Sequence, residues 1–117
     1  MTDSNPLQVT WESAPGVEVV HATGEIDLAT CEQLKVRLDM ALSALKATGI
    51  LIVDLQGVTF FGASGLSVLV ELYRACSAAR VSFKVVANGT SVLRPLQLMG
   101  TGRLFPVYPS VAEATQH

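Results

Sequence analysis

Charged residues and aromatic residues are both scarce in this chain of 117 residues, at 15% and 6%, whereas hydrophobic residues make up half of it. So few charges with so many apolar side chains exclude a disordered protein and predict one domain with a buried core, spanning residues 1–117. The formal net charge is −2 and the isoelectric point is about 5.5. A basic surface for nucleic acid is therefore not expected.

Long apolar runs are also missing. The longest, at 50–53 and 66–72, are far shorter than the roughly 20 residues that a membrane helix needs. Residues 1–6 are polar and include Asp3, with no basic stretch ahead of an apolar one, so no signal peptide is expected. These features predict a cytoplasmic protein with no membrane partner.

Reactive side chains are few. Cys31 and Cys76 lie far apart in the sequence without a second cysteine or a histidine nearby, which fits two reduced thiols, or a regulatory disulfide, and no metal site. His21 is the only histidine before the last residue, and it lies in a predicted strand with no reason to meet a serine nucleophile. No phosphate-binding glycine loop is present. The sequence therefore predicts neither an enzyme nor a cofactor.

Hydrophobic periodicity alternates between that of strands and that of helices. Strands are predicted at 7–12, 17–23, 50–54, 81–87 and 104–107. Helices are predicted at 30–47, 66–79 and 91–99, and from 110 to the end. Thr30 and Gln33 are spaced as a capping box for the first helix, and Pro95 is expected near the start of the third. The predicted fold is α/β, with a mixed sheet of about five strands and about four helices.

The segment 61–66 (sequence FGASGL) joins a predicted loop to an apolar helix. Two interpretations of Ser64 follow from its place at a helix start. Its hydroxyl can cap free backbone N–H groups, a role worth about 1 kcal/mol. The same N–H groups and the helix dipole would also accommodate a phosphate.

Three blocks, in this order and spacing, carry a resemblance to a known family. They are 24–30 (GEIDLAT); 50–55 (ILIVDL) with 58–61 (VTFF) and 64–66 (SGL); and 93–100 (LRPLQLMG) with 103–108 (RLFPVY). From about Leu7 to Ala114 the chain resembles the STAS family, which includes domains of sulphate transporters and bacterial anti-sigma-factor antagonists. It is most similar to the antagonists.

The resemblance implies a function by partner exchange. An antagonist of this type binds an anti-sigma factor, an ATP-binding serine kinase, and so frees a sigma factor; phosphorylation of the antagonist breaks the pairing. It also implies a STAS-like fold and a protein that is a monomer or a weak dimer. The expected partner-binding residues are Asp27, Phe61, Gly62, Ala63, Ser64, Gly65 and Ser67. Phe61 has two interpretations, an exposed docking residue or a core residue.

The sequence departs from the family pattern at the phosphate acceptor. Typical members have Asp-Ser-Ser-Gly or Asp-Ser-Thr-Gly, with the acceptor directly after the aspartate. Here Gly62 replaces the aspartate and Ala63, which has no hydroxyl, replaces the acceptor. Phosphate control is therefore expected to be absent or shifted to Ser64. The departure leaves one further interpretation, a STAS subunit of a larger lipid-transport or stress-signalling assembly.

Overall fold

A computed structural model describes residues 6–100 and 103–116. Its elements follow the predicted order of strands and helices, which confirms the α/β fold with five strands and four helices. The strands are β1 (Gln8–Ala14), β2 (Val17–Ile26), β3 (Ile50–Phe61), β4 (Ser82–Val86) and β5 (Val107–Tyr108). The helices are α1 (Cys31–Ser43), α2 (Ala63–Ala78), α3 (Thr90–Leu98) and α4 (Val111–Gln116).

The sheet is mixed, with its strands in sequential order. β1 and β2 form an antiparallel hairpin, whereas β3, β4 and β5 each run parallel to the preceding strand. Gly16, in the hairpin turn, has φ +77°, a left-handed value that glycine adopts without strain. The parallel strands all end at the same edge of the sheet, and loops at that edge lead into α1, α2 and α3.

The main core lies on one face of the sheet. Leu34, Leu38 and Ala41 recur at helical spacing along α1 and are fully buried there, as the periodicity predicts. Alternate strand residues point to the other face, where a second apolar cluster of Val19, Ile52 and Val86 packs with Ala114 of α4. Within the described ranges, none of the helices is long and apolar enough to cross a bilayer.

A buried lysine fastens α4 to the back of the sheet. Lys84 of β4 is buried, and its Nζ donates to the Ala114 carbonyl oxygen at 2.8 Å. The ammonium group also lies 5.5 Å from the centre of the Tyr108 ring. The aliphatic stem can pack against the apolar cluster while the charged end keeps a partner.

The only tryptophan lies on the edge strand. Trp11 is half exposed, and the Arg37 guanidinium carbon of α1 lies 3.5 Å from the centre of the Trp11 ring. Such a cation–π contact contributes about 0.5–1 kcal/mol at an exposed site. It attaches the exposed side of α1 to β1.

Several predicted boundaries are wrong. α1 ends at Ser43 and not at 47. At Leu45 the hydrogen bond no longer joins residues four apart: the Leu45 N–H donates to the Leu42 carbonyl oxygen, only three residues back. The strand predicted at 50–54 continues to Phe61, because pairing with β2 persists past the polar Gln56 and Gly57. The fifth strand is only Val107–Tyr108.

The prediction for Pro95 is also wrong, since it lies inside α3 and not near its start. Val92 and Leu96 are the buried residues of this helix, and the Met99 N–H still donates to the Pro95 carbonyl oxygen at 3.1 Å. Met99, predicted on the apolar face of the helix, is largely exposed. Gly102, predicted to close the helix, lies outside the described residues.

Candidate functional site

The segment 61–66 forms the turn between β3 and α2, as the sequence predicts for its place at a helix start. Gly62 is the N-cap of α2, with an extended backbone and no side-chain cap. Its N–H donates to the Ile26 carbonyl oxygen at 2.9 Å, which joins the turn to the end of β2. Ser64 is the second residue of the helix and makes no capping bond, so the prediction that its hydroxyl caps the helix is wrong.

Asp27 organises the neighbouring loop from β2 into α1. Its Oδ1 accepts from the N–H groups of Ala29 at 2.9 Å and Thr30 at 3.1 Å. The Thr30 hydroxyl instead points back and donates to the Glu25 carbonyl oxygen at 2.9 Å. The predicted capping box is therefore wrong: the first N–H groups near α1 are served by Asp27, and the Gln33 amide binds the Leu7 carbonyl oxygen.

Gly65 allows α2 to approach the sheet closely. A Cβ atom at this position would lie 2.7 Å from Ile26 Cγ2 and 2.8 Å from Phe61 Cε1. Both of those side chains are buried and cannot swing away. The start of α2 is thus seated directly on the ends of β2 and β3 because residue 65 has no side chain.

We expect Gly65→Ala to lower the free energy of unfolding by about 1–3 kcal/mol, the usual cost of forcing extra volume into a packed core. Chemical denaturation followed by far-UV circular dichroism measures the change. Gly89→Ala is the control, because it adds the same methyl group at the N-cap of α3, where no atom of the other described residues lies within 4 Å of it. The control should cost less than about 1 kcal/mol; equal losses in both variants would contradict the close-approach argument.

The predicted partner-binding residues divide into exposed and buried ones. Ala63 and Ser67 are exposed, and Ser64, Gly62 and Asp27 are partly so. Phe61 is 4% exposed and Gly65 is also buried, so Phe61 is a core residue and not an exposed docking residue. Phe61 and Gly65 lie on the core side of the turn and hold it in position.

Apolar residues that sequence reasoning missed surround the turn. Phe60, Leu98 and Met99 are 52%, 74% and 65% exposed. A shallow cavity of about 270 Å³ lies between the turn and the end of α3, and its described lining residues are Phe61, Gly62, Ala63, Leu66, Pro95, Leu98 and Met99. We call the surface formed by Ala63, Ser67, Leu98 and Met99 the turn face.

The cavity continues along α2. A second depression of about 370 Å³ shares Leu66 and Met99 with the first and extends past Ser67 to Glu71 and Arg74. The apolar part therefore borders a polar part with one charge of each sign. An apolar centre with a polar margin is the usual composition of a protein-binding surface.

The electrostatics at the turn favour negative charge. α2 has 16 residues, and none of the residues in its first turn is acidic. Its dipole places partial positive charge at Gly62 and Ala63, where an added acidic group would not oppose helix formation. A charge introduced at position 63 therefore alters the surface without unfolding the helix.

His21, the only candidate base in the sequence, lies away from the turn, in the middle of β2. Its Nδ1 lies 2.7 Å from Asp54 Oδ2, and its Nε2 lies 3.3 Å from Glu12 Oε1. Desolvation alone would lower the pKa of His21, but the hydrogen bonds and charges of Asp54 and Glu12 outweigh it and raise that pKa above 6.5. The imidazole is thus part of a polar contact among three strands.

This contact should make stability depend on pH. Because the pKa is higher in the folded than in the unfolded chain, protonated His21 stabilises the fold fully below about pH 6.5, and the contribution is lost as the pH rises through the folded-state value. Denaturation at a series of pH values from about 6 to 8.5 should therefore show falling stability in the wild type. The same series should be flatter for His21→Gln; identical slopes would contradict the assignment.

Both cysteines are free thiols. Cys31 is partly exposed at the start of α1, and Cys76 is buried in α2. Burial raises the pKa of the Cys76 thiol to about 11, so it is almost entirely protonated at neutral pH. A reactive thiolate at Cys76 is therefore not available in the folded chain.

Comparisons with known proteins give the same fold and the same type of protein. The sequence profile of the STAS domain matches residues 8–114. Anti-sigma-F factor antagonist RsfA of Mycobacterium tuberculosis is 30% identical over 111 residues, covering 95% of this chain and 87% of the relative. Anti-sigma-F factor antagonist RsfB of the same organism is 31% identical over 114 residues, covering 97% and 91%.

Solved structures agree with this similarity. The crystal structure of an anti-sigma factor antagonist from Mycobacterium paratuberculosis superposes with a TM-score of 0.87 at 30% identity, covering 99% of this chain and 97% of that one. The unphosphorylated form of the anti-sigma factor antagonist SpoIIAA has the same fold, with a TM-score of 0.75 at 19% identity, covering 92% of both chains. The profile match, the relatives and the fold together show that the chain belongs to the STAS domain family and is of the anti-sigma-factor antagonist type.

Proposed function

We propose that this protein is an anti-sigma factor antagonist that binds an anti-sigma factor through the turn face and thereby releases a sigma factor. The observation that carries the proposal is the exposed apolar surface of Leu98 and Met99 beside Ala63 at the start of α2. It lies in a chain whose relatives are named as antagonists of anti-sigma factors. The protein acts by binding and not by catalysis.

The energetics suit a docking site. Leu98 and Met99 are largely exposed, and burying apolar surface stabilises a complex by about 25 cal/mol per Å². A partner that covers the cavity between Ala63 and Leu98 would bury several such side chains at once. Asp27 holds the adjoining loop in shape, so little conformational entropy would be lost on binding.

We further propose that phosphorylation has little control over this binding. Ala63 occupies the exposed first position of α2 but carries no hydroxyl. Ser64 does, yet it is partly buried and points about 100° further round the helix. A kinase active site that fits the first position would meet Ser64 poorly, so the protein would stay in its binding form.

The partner in this proposal is an ATP-binding anti-sigma factor of the serine-kinase type, in the cytoplasm. The antagonist itself would act as a monomer or a weak dimer. Its small net charge of −2 gives no strong electrostatic steering, so complementarity of the apolar surfaces would dominate the choice of partner.

Displacement of a sigma factor tests the function directly. The purified protein is added to a preformed complex of an anti-sigma factor with its labelled sigma factor from the same organism, and release is followed by fluorescence anisotropy. Release that saturates with added protein is expected. If none of the organism's anti-sigma factors binds the protein, the proposal is wrong.

A second candidate function rests on the missing acceptor at Ala63. A chain without a phosphate switch would also suit a permanent subunit of a lipid-transport or stress-signalling assembly. Co-purification of the tagged protein from its own host distinguishes the two functions. A stable complex with a permease or a large signalling particle supports this candidate, whereas an anti-sigma factor supports the first.

A further inference from the structure

A separate cavity lies at the end of the sheet opposite the turn. It has a volume of about 260 Å³ and lies between the β1–β2 hairpin turn and the segment that joins α1 to β3. Its lining residues are Ala14, Gly16, Glu18, Ala44, Leu45, Lys46, Ala47, Thr48 and Gly49. Because β3 runs from this end to the turn over 12 residues, the two sites are about 35 Å apart.

Glu18 is the unusual member of this lining. It is 7% exposed and makes no hydrogen bond or ion pair with any part of the chain that the structure describes. Solvent reaches both carboxylate oxygens of Glu18. The carboxylate therefore opens into the cavity that it lines. The carboxylate has no partner in the described chain, and a cation or a hydrogen-bond donor that enters the cavity can reach it.

The surrounding backbone also favours a cation. The cavity lies at the C-terminal end of α1, where the helix dipole is negative, and the last turn of that helix contains no basic residue. The carbonyl groups of Ala44, Leu45 and Ala47 accept no backbone hydrogen bond in the described chain. Carbonyl groups at a helix end are good acceptors for N–H donors.

We propose that this cavity binds a guanidinium or a primary ammonium group, with Glu18 as its charged partner. A group with several N–H donors can use the carboxylate and the free carbonyl groups together, whereas a metal ion would lack ligands, since no cluster of three or more suitable side chains occurs among residues 6–100 and 103–116. Lys46 also lines the cavity but forms no ion pair with Glu18. The group that we propose for this cavity belongs to another molecule.

Nuclear magnetic resonance of the ¹⁵N-labelled protein tests the site. Agmatine serves as the free cation and N-acetyl-arginine amide as a cationic side chain of the kind that a partner protein presents. We expect saturable shifts of the Gly16, Thr48 and Gly49 amides with a Kd of about 1 mM or lower. Saturable binding of either compound supports the proposal, and binding of the singly charged arginine amide shows that one guanidinium group is enough.

Variants and a neutral analogue make the test specific. Glu18→Gln keeps the shape and should weaken binding about ten-fold or more, while its resistance to denaturation is unchanged or higher. Glu32→Gln, an exposed carboxylate at the other end of α1, should bind as the wild type does. Any of three results would overturn the proposal. They are equal shifts with uncharged butylurea, no shift with either cation, and binding that appears only in Lys46→Gln.

Discussion

Ala63→Glu should abolish binding of the anti-sigma factor, with a loss of affinity of roughly 100-fold or more. Ala63 is exposed beside the apolar cavity, so a glutamate there would bring a charge into the surface that the partner must cover. An unpaired charge at the centre of an interface costs several kcal/mol. Isothermal titration calorimetry with the anti-sigma factor measures the loss.

The interpretation depends on Ala63→Glu remaining folded. A glutamate in the first turn of α2 interacts favourably with the helix dipole, so the thermal midpoint should hardly change. Ala75→Glu is the matched control, because it places the same charge on an exposed alanine of the same helix about 18 Å along its axis. Wild-type affinity in Ala63→Glu, or an equal loss in Ala75→Glu, would place the docking surface elsewhere.

Gly62→Asp with Ala63→Ser should create a phosphate switch at position 63. The double variant restores an acidic N-cap followed by a hydroxyl at the exposed first position of α2. A Cβ atom at residue 62 would approach Phe60 Cε2 to 3.2 Å, and the half-exposed Phe60 ring has room to give way. The double variant is incubated with a kinase-type anti-sigma factor and ATP and then analysed by mass spectrometry. We expect one phosphoryl group, on the serine that replaces Ala63.

The consequence for binding should be large. A phosphoryl group adds about −1.5 to −2 charges, which the helix N-terminus tolerates but an apolar partner surface does not. The phosphorylated double variant should therefore lose binding as completely as Ala63→Glu does. Adding Ser64→Ala excludes modification of the natural hydroxyl; efficient phosphorylation of Ser64 in the wild type would refute the claim that its own switch is weak.

Much of the fold follows from local patterns. The spacing of Leu34, Leu38 and Ala41 identifies the buried face of α1, and the aliphatic run at 50–53 identifies the central strand. Both signals depend on which residues are apolar, and burial of apolar area is the dominant force in folding. The strand limits could not be predicted from them, because Gln56 and Gly57 look like loop residues and are held in β3 only by pairing with β2.

The site was predicted less completely, for a similar reason. Phe60 and Phe61 are adjacent, and strand alternation requires them to point to opposite sides without saying which one is buried. Likewise, Thr30 has the sequence of a cap, but the side chain that reaches the N–H groups before α1 is that of Asp27. Tertiary contacts decide between such alternatives, and only the structure contains them.

The position of Trp11 decides which optical signal this protein can provide. It is the only tryptophan, it lies under the Arg37 guanidinium on the edge strand, and it is not among the residues of the turn face. Its emission will change when β1 separates from α1 during unfolding. A partner that docks on the turn face leaves this fluorophore untouched, so intrinsic fluorescence of the antagonist reports folding and is silent about binding.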